Sequence, residues 1–215
     1  LMALLMAIEE EKAAAIRAFF EVIFSSIIVT KSGGVSLARD LAHSRPHRDD
    51  NKRIRDAIQQ FQMRLERVAG SLAYIPSNGL KPIIRNADAR DLPLSSNSVQ
   101  LVVTSPPYAN AIDYMRAHKF SLVWLGKASK ELTQLRSRYI GAEALKQPAS
   151  RMELPKFATK QVEQLRKKDK RKAALLQQYF FDMRQALSEM HRVLQPGRAC
   201  VLVVGPSTMR GIRIE

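Results

Sequence analysis

The fold is decided by the stretch Val99-Gln100-Leu101-Val102-Val103-Thr104-Ser105-Pro106-Pro107-Tyr108. Its first half is a continuous apolar run of the kind that a buried strand of a parallel sheet shows. A second apolar run, residues 199–204, follows a strongly periodic helical pattern that ends at Pro196-Gly197. Strand, helix and strand in this order predict an α/β fold, with helices covering a parallel sheet.

The remaining segments divide the chain in two. Residues 1–24 contain no Gly or Pro and favour helix, and residues 52–69 place one apolar face at helical spacing. We therefore predict that residues 1–80 form a helical N-terminal segment or insertion. Residues 81–215 would form the α/β core, with a basic, mainly helical insertion at about residues 127–172. A short strand is expected at residues 82–85.

Charge dominates the composition. The 215 residues include 35 Lys and Arg against 20 Asp and Glu, a net charge of +15. Such an excess attracts polyanions, which makes nucleic acid the leading partner. The single cysteine, Cys200, excludes a disulfide framework and is expected to be a buried, inert thiol, as in a reducing cytoplasm.

No apolar stretch reaches the roughly 20 residues that a membrane span needs. The longest candidate, residues 18–30, is interrupted by Glu21, Ser25 and Ser26. We therefore expect no membrane anchor and a cytoplasmic location. Because the first residue is Leu1, we also expect the chain to be a fragment of a longer protein.

The residues after the first strand can hold a flat, amine-bearing ring. In an open parallel sheet, ligands bind beyond the carboxyl ends of the strands, where Ser105 falls. Two prolines cannot donate, so the Ser105 hydroxyl and the Pro106 carbonyl can face outward as acceptors. The ring would stack on Tyr108 while its amine donates to both acceptors. The alternative is a proline-rich turn that simply ends a strand.

A longer pattern surrounds this loop. Upstream lies Asn86-Ala87-Asp88-Ala89-Arg90-Asp91-Leu92-Pro93-Leu94, and downstream lies Glu189-Met190-His191-Arg192-Val193-Leu194-Gln195-Pro196-Gly197 before a strand. In this order the three segments resemble the third motif, the fourth motif and the late helix, turn and strand of DNA amino-methyltransferases, which methylate cytosine N4 or adenine N6. The resemblance covers residues 83–126 and 179–205.

The resemblance implies a Rossmann-like sheet, here partial and with helical insertions, that binds S-adenosylmethionine. By matching position, Asp88 would accept a hydrogen bond from the adenine amine of the cofactor, and Ala89 would lie beside that ring. Thr104 is assigned to the cofactor side as well. Asp88 has an alternative role as a turn-forming carboxylate.

The resemblance also implies that a flipped base is held by Ser105, Pro106 and Tyr108, with Pro107 keeping the loop rigid. The amino nitrogen would attack the sulfonium methyl group directly, without a metal or a covalent nucleophile. Serine at the first position favours cytosine N4, since Asp or Asn is commoner in adenine-N6 enzymes. For His118, on the helix that follows, we expect a surface or packing role.

Part of the pattern is missing. The family carries a glycine-containing loop after its first strand, and the sequence contains no such loop; Gly33-Gly34 is a weak substitute because it follows helical sequence. Smaller departures are Gln100, where an acidic residue is usual, and Arg198, where a second glycine is common. The cofactor loop would then lie upstream of Leu1.

A basic stretch is the best candidate for contact with phosphates. Residues 151–172 hold nine Lys or Arg against three acids, with few aromatic residues, which suits attraction to the backbone better than base reading. The alternative is a solvated helix face. The candidates are Arg166, Lys167, Lys168, Lys170, Arg171 and Lys172.

Three functions follow from these patterns. The first is S-adenosylmethionine-dependent methylation of a base amine in DNA, with cytosine N4 preferred over adenine N6. The second is the same reaction on RNA. The third is a non-catalytic nucleic-acid-binding module that keeps the methyltransferase fold without its cofactor loop.

Overall fold

The structure is a computed structural model that describes residues 1–30, 34–39, 47–72, 74, 79, 81–109, 114–126, 129–142 and 153–214. The chain forms two compact units. The first comprises residues 1–82 and 114–133, and the second comprises residues 83–113 and 134–215. Residues 114–133 cluster with the first unit, and the division into residues 1–80 and 81–215 stays a prediction.

The first unit is mainly helical. Its helices are α1 (Met2–Glu9), α2 (Ala14–Ile28), α3 (Ala57–Leu72) and α4 (Tyr114–Trp124). The fully buried Phe24 lies at its centre and makes an edge-to-face contact with Trp124, with 6.0 Å between the ring centroids. Such a pair adds specific geometry to apolar burial, which is the main source of stability in a helical unit.

A small antiparallel ladder follows α2. Strand β1 (Ala38–Arg39) pairs with β2 (His47–Arg48), and Lys52 is buried beside it. The ammonium of Lys52 donates to the carbonyls of Ala38 and Thr30. Burial lowers the pKa of Lys52, and the two carbonyls compensate for part of the lost hydration.

The second unit contains the predicted parallel pair. Strand β3 (Val99–Thr104) pairs in parallel with β4 (Leu194–Leu202), and Leu101 to Thr104 lie opposite Ala199 to Leu202 without a break. The register shifts between Val99 and Leu101, because Val99 lies opposite Leu194. The two strands therefore end side by side, which brings residue 105 next to the segment that follows β4.

Both strands are more exposed than predicted. Leu101 is 55% exposed and Val103 64% exposed, on the face that they share with Val201. The expectation of a buried, inert Cys200 is wrong, because its residue is exposed. Successive side chains of a strand point to opposite faces, and residues 196–202 of β4 are all exposed, so no described element covers either face of this part of the strand.

Helices and a hairpin complete the second unit. Helix α5 (Ser129–Arg138) spans the two units in sequence, and α6 (Lys156–Arg166) packs against α7 (Lys170–Val193). Strands β5 (Ser207–Met209) and β6 (Ile212–Ile214) form an antiparallel hairpin. The core beneath them is formed by Ala109, Val162, Leu165, Ala173, Leu176, Met209 and Ile214.

Several predicted elements differ in extent. Residues 1–24 form two helices rather than one, because the Ala13 amide donates to the Glu11 carboxylate and α2 begins there. Helix α3 continues through Gly70, and α7 begins at Lys170, within the residues predicted to form the basic insertion. Residues 82–85 form no strand: Ile83 and Ile84 are 81% and 91% exposed and pair with no described strand.

The described residues thus combine helices with small sheets, consistent with the α/β prediction. The larger Rossmann-like sheet stays a prediction. Within the described parts of the chain, no helix is both long and apolar enough to cross a bilayer.

Candidate functional site

The end of β3 carries the predicted base-binding residues, which we call the proline loop (residues 104–108). The Ser105 hydroxyl donates to the Val203 carbonyl at 3.0 Å, and the Val203 amide donates to the Thr104 carbonyl at 2.9 Å. These bonds continue the pairing of β3 and β4 by one residue. Because the only hydroxyl hydrogen of Ser105 is already donated, its oxygen can only accept from a ligand.

Helix α7 supports the loop from behind. The Tyr179 hydroxyl donates to the Pro107 carbonyl at 2.9 Å. Burial raises the pKa of Tyr179 above its usual range, so the phenol stays a protonated donor at neutral pH. No described residue donates to the Pro106 carbonyl, the second predicted acceptor.

The ring of Tyr108 lies against a glycine. A Cβ atom at Gly205 would be 3.3 Å from Cζ of Tyr108 and 3.4 Å from its Cε2 and hydroxyl oxygen. Such a contact is tighter than ordinary van der Waals contact, so the observed position of the Tyr108 ring requires a residue without a side chain at position 205. Sequence reasoning did not find Gly205, although it follows directly after the apolar run of residues 199–204.

The predicted cofactor residues form a tight turn, which we call the acidic turn (residues 88–91). The Asp91 amide donates to the Asp88 carbonyl at 3.0 Å, and the Arg90 amide donates to Oδ1 of Asp88 at 2.9 Å. A carboxylate that accepts from the amide two residues later is the signature of an Asx turn. This geometry fits the alternative, turn-forming role of Asp88. Ala89 is exposed at the tip.

Arg90 connects this turn to the helices. Its Nε and Nη2 donate to the two carboxylate oxygens of Asp88 at 2.9 and 2.6 Å, and its Nη1 donates to the buried Asp182 at 2.7 Å. Nη2 also donates to the Arg138 carbonyl at 3.0 Å. The Asp88 and Asp182 carboxylates raise the pKa of Arg90. Sequence reasoning missed this cation, because Asp182 lies on a helix far along the chain.

The end of α7 holds the connection between the acidic turn and β3. Glu189 accepts from the Leu92 amide at 2.8 Å, and Arg192 donates to the Leu92 and Leu94 carbonyls at 3.0 and 2.8 Å. Glu189 and Arg192 pair at 2.7 Å. Arg192 and the Leu92 amide hold the pKa of Glu189 at about 2. The signal in the sequence is the charged pair three residues apart within the late motif.

Other predicted residues lie elsewhere. Gly33 is outside the described residues, and helix α2 is the described element that precedes Gly34. His118 is exposed on α4, consistent with a surface role. In the basic stretch, all six predicted phosphate-binding residues are exposed except Lys172, which is half-buried. The described part of the chain contains no cluster of residues suited to a metal ion.

Comparison with known proteins relates a segment of this chain to a methyltransferase. The chain is 33% identical over 63 residues to the type II methyltransferase M.BsoBI of Geobacillus stearothermophilus. The match covers 29% of this chain and 12% of the relative's length, so it relates a segment and not two whole proteins. No protein-family profile matches the chain, and no solved structure matches it. The similarity supports a distant relationship to methyltransferases.

Proposed function

We propose that this chain holds the base in an S-adenosylmethionine-dependent methyltransferase that acts on an exocyclic amine of DNA. The observation that carries the proposal is the hydrogen bond from the Ser105 hydroxyl to the Val203 carbonyl. It leaves Ser105 as an acceptor toward a ligand, which is the role that an amine donor requires. The similarity to a type II methyltransferase supports the same class of reaction.

The amine is prepared by two acceptors. An exocyclic amine has two hydrogens and a lone pair that is delocalised into the ring. Accepting one hydrogen at the Ser105 Oγ and the other at the Pro106 carbonyl would favour a tetrahedral nitrogen and localise the lone pair. The Tyr179 bond to the Pro107 carbonyl would keep the loop in position without occupying either acceptor.

Tyr108 would stack against the base. Its ring contacts Gly205, and an aromatic face beside polar acceptors is how proteins commonly hold a flipped base. S-adenosylmethionine, when bound, would supply an electrophilic methyl group, and Ser105 and Pro106 of this chain would hold the amine that receives it.

The cofactor side fits less well than the base side. Asp88, Ala89 and Thr104 are the residues of this chain proposed to lie near the cofactor. The Asp88 carboxylate accepts three hydrogen bonds from Arg90, so binding an adenine amine would require it to share Arg90. We therefore assign this chain the amine-holding role and derive no geometry for the cofactor.

Cytosine N4 is the proposed methyl acceptor, and adenine N6 is the alternative. Serine rather than a carboxylate or amide at position 105 favours cytosine, by the resemblance described above. The similarity to a type II methyltransferase favours DNA over RNA, and the net charge of +15 suits either polyanion.

A second function is favoured by the Asp88 contacts. If the carboxylate serves only Arg90, and no glycine-containing cofactor loop completes the site, the chain would bind nucleic acid without catalysis. The proposed enzyme and this binding module differ in one measurable property, which is methyl transfer.

The test is transfer from labelled S-adenosylmethionine to DNA and RNA by the full chain and its Tyr108→Ala variant. We expect transfer to DNA, and a loss of at least about 100-fold in turnover when Tyr108 is removed, because base alignment is lost. Cofactor affinity should stay nearly unchanged. Tyr74→Ala is the matched control, since Tyr74 is 87% exposed.

Three results would change the proposal. Transfer to RNA alone would overturn the DNA assignment. Loss of cofactor binding in Tyr108→Ala would show that the base site is misplaced. No transfer, with nucleic-acid binding intact, would support the binding module.

A further inference from the structure

The hairpin β5–β6 brings distant cations to the turn between α6 and α7. The Lys168 ammonium donates to the Arg210 carbonyl at 3.3 Å, and Nε of Arg210 pairs with the Asp169 carboxylate at 2.9 Å. Arg210 has a φ of 51°, so the hairpin turns sharply at this point. We call residues 166–172 together with residues 210–213 the basic corner.

The corner is strongly cationic. Asp169 is the only carboxylate among the residues of the basic corner. It caps α7 by accepting from the Lys172 amide at 2.9 Å, and it pairs with Arg210. These bonds lower its pKa. Arg166 donates to the neutral Gln177, which leaves its charge uncompensated. The eight cations are Arg166, Lys167, Lys168, Lys170, Arg171, Lys172, Arg210 and Arg213.

The cations come from three segments, and all of them except the half-buried Lys172 are exposed. On β6 the side chains alternate, with Ile214 buried and Arg213 exposed. Lys167, Lys170 and Arg171 are also exposed. A solvated helix face would present charges from one helix only, whereas this surface joins the end of α6, the start of α7 and a hairpin. Convergent cations of this kind suit a row of phosphates.

The corner shares a core with the proline loop. Leu165 and Ala173 flank residues 166–172, and Met209 precedes Arg210. These buried side chains belong to the same cluster as Ala109, the residue that follows Tyr108. Because packed cores are close to rigid, the distance from the corner to the proline loop is expected to be fixed.

We propose that the basic corner binds the phosphodiester backbone of the DNA whose base enters the proline loop. This inference rests on the proposed function for the identity of the substrate. The corner contains no aromatic side chain, so it attracts the backbone and does not read bases. The hairpin arginines, which the sequence alone did not assign, belong to this surface.

The experiment measures binding of the full chain to a fluorescein-labelled DNA duplex by anisotropy, between about 50 and 200 mM salt. The first variant combines Lys168→Gln, Arg210→Gln and Arg213→Gln. The second combines Lys167→Gln, Lys170→Gln and Arg171→Gln, whose side chains make no hydrogen bond or ion pair among the described residues, so folding should be unaffected. The control combines Lys12→Gln, Arg53→Gln and Arg67→Gln, exposed cations of the first unit.

Each corner variant should reduce the slope of log affinity against log salt by about 3, one for each phosphate contact, equally for unrelated DNA sequences. The control should change it by less than about 1. If both corner variants match the control, the inference is overturned. A reduced slope seen only with an RNA duplex would overturn the DNA assignment.

Methyl transfer separates this inference from the proposed function. Reduced slopes without any transfer would leave the basic corner standing while the proposed function fails. Transfer by the wild-type chain, with slopes unchanged in both corner variants, would overturn the corner and leave the proposed function standing.

Discussion

The acidic turn precedes β3 in the chain and the proline loop follows it. Both are predicted to contact ligands, yet their polar groups are arranged in opposite ways. In the proline loop, the Ser105 hydroxyl donates to the Val203 carbonyl, and the Pro107 carbonyl accepts from Tyr179. The Ser105 oxygen and the Pro106 carbonyl are therefore left as acceptors for a ligand. In the acidic turn, the Asp88 carboxylate is turned onto Arg90. The difference shows that a motif residue can match in sequence while its hydrogen bonds serve the fold.

The largest expected effect tests the structural role of Arg90. Arg90→Leu removes the guanidinium that pairs with the buried Asp182 carboxylate at 2.7 Å, which should lower the free energy of unfolding by about 3 kcal/mol. Urea denaturation measures this loss. Arg85→Leu, an exposed arginine that donates to a single carbonyl, should cost under about 1 kcal/mol. Equal losses in both variants would mean that Arg90 is not the connection described here.

A smaller effect is expected at the support of the proline loop. Tyr179→Phe removes the hydrogen bond to the Pro107 carbonyl and should lower the free energy of unfolding by about 1 kcal/mol. In the methyl-transfer assay it should lower kcat more than it raises KM, since the loop is less well positioned. Tyr74→Phe, at an exposed site, is the control. An unchanged kcat would argue against support of the loop by α7.

The smallest effect is a difference in stability that disappears at acid pH. The pKa of Glu189 is lowered from 4.5 to about 2, so this carboxylate stabilises the fold above pH 4.5 and the contribution is lost as the pH falls toward 2. Glu189→Gln lacks it at every pH. Melting temperatures of wild type and variant should therefore differ near neutral pH and converge below pH 4.5. A constant difference across the range would contradict the assigned cause.

Local patterns predicted the elements that depend on neighbouring residues. The apolar run of β3, the periodic helix α7 and the loop at residues 105–108 are visible in short windows of sequence. The extent of helices was less predictable, because the break between α1 and α2 contains no Gly or Pro and is accompanied only by local bonds such as that from the Ala13 amide to the Glu11 carboxylate.

Contacts between distant residues were not predictable. Ser105 and Val203, or Arg90 and Asp182, are more than ninety residues apart in the chain, and only the pairing of β3 with β4 and the packing of α7 bring them together. The exposure of Cys200 has the same origin, because an apolar run predicts a strand but not how many neighbours cover it.

The register shift in the parallel pair separates two parts of the sheet. Between Val99 and Leu101, β3 advances two residues while β4 advances from Leu194 to Ala199. The extra residues of β4 include Pro196 and Gly197, and Gly197 has a φ of 74°. The difference in length between the two strands therefore lies at the start of the parallel pair. Amino-acid changes near Pro196 and Gly197 are therefore expected to leave the strand ends, where Ser105 lies next to Val203, in place.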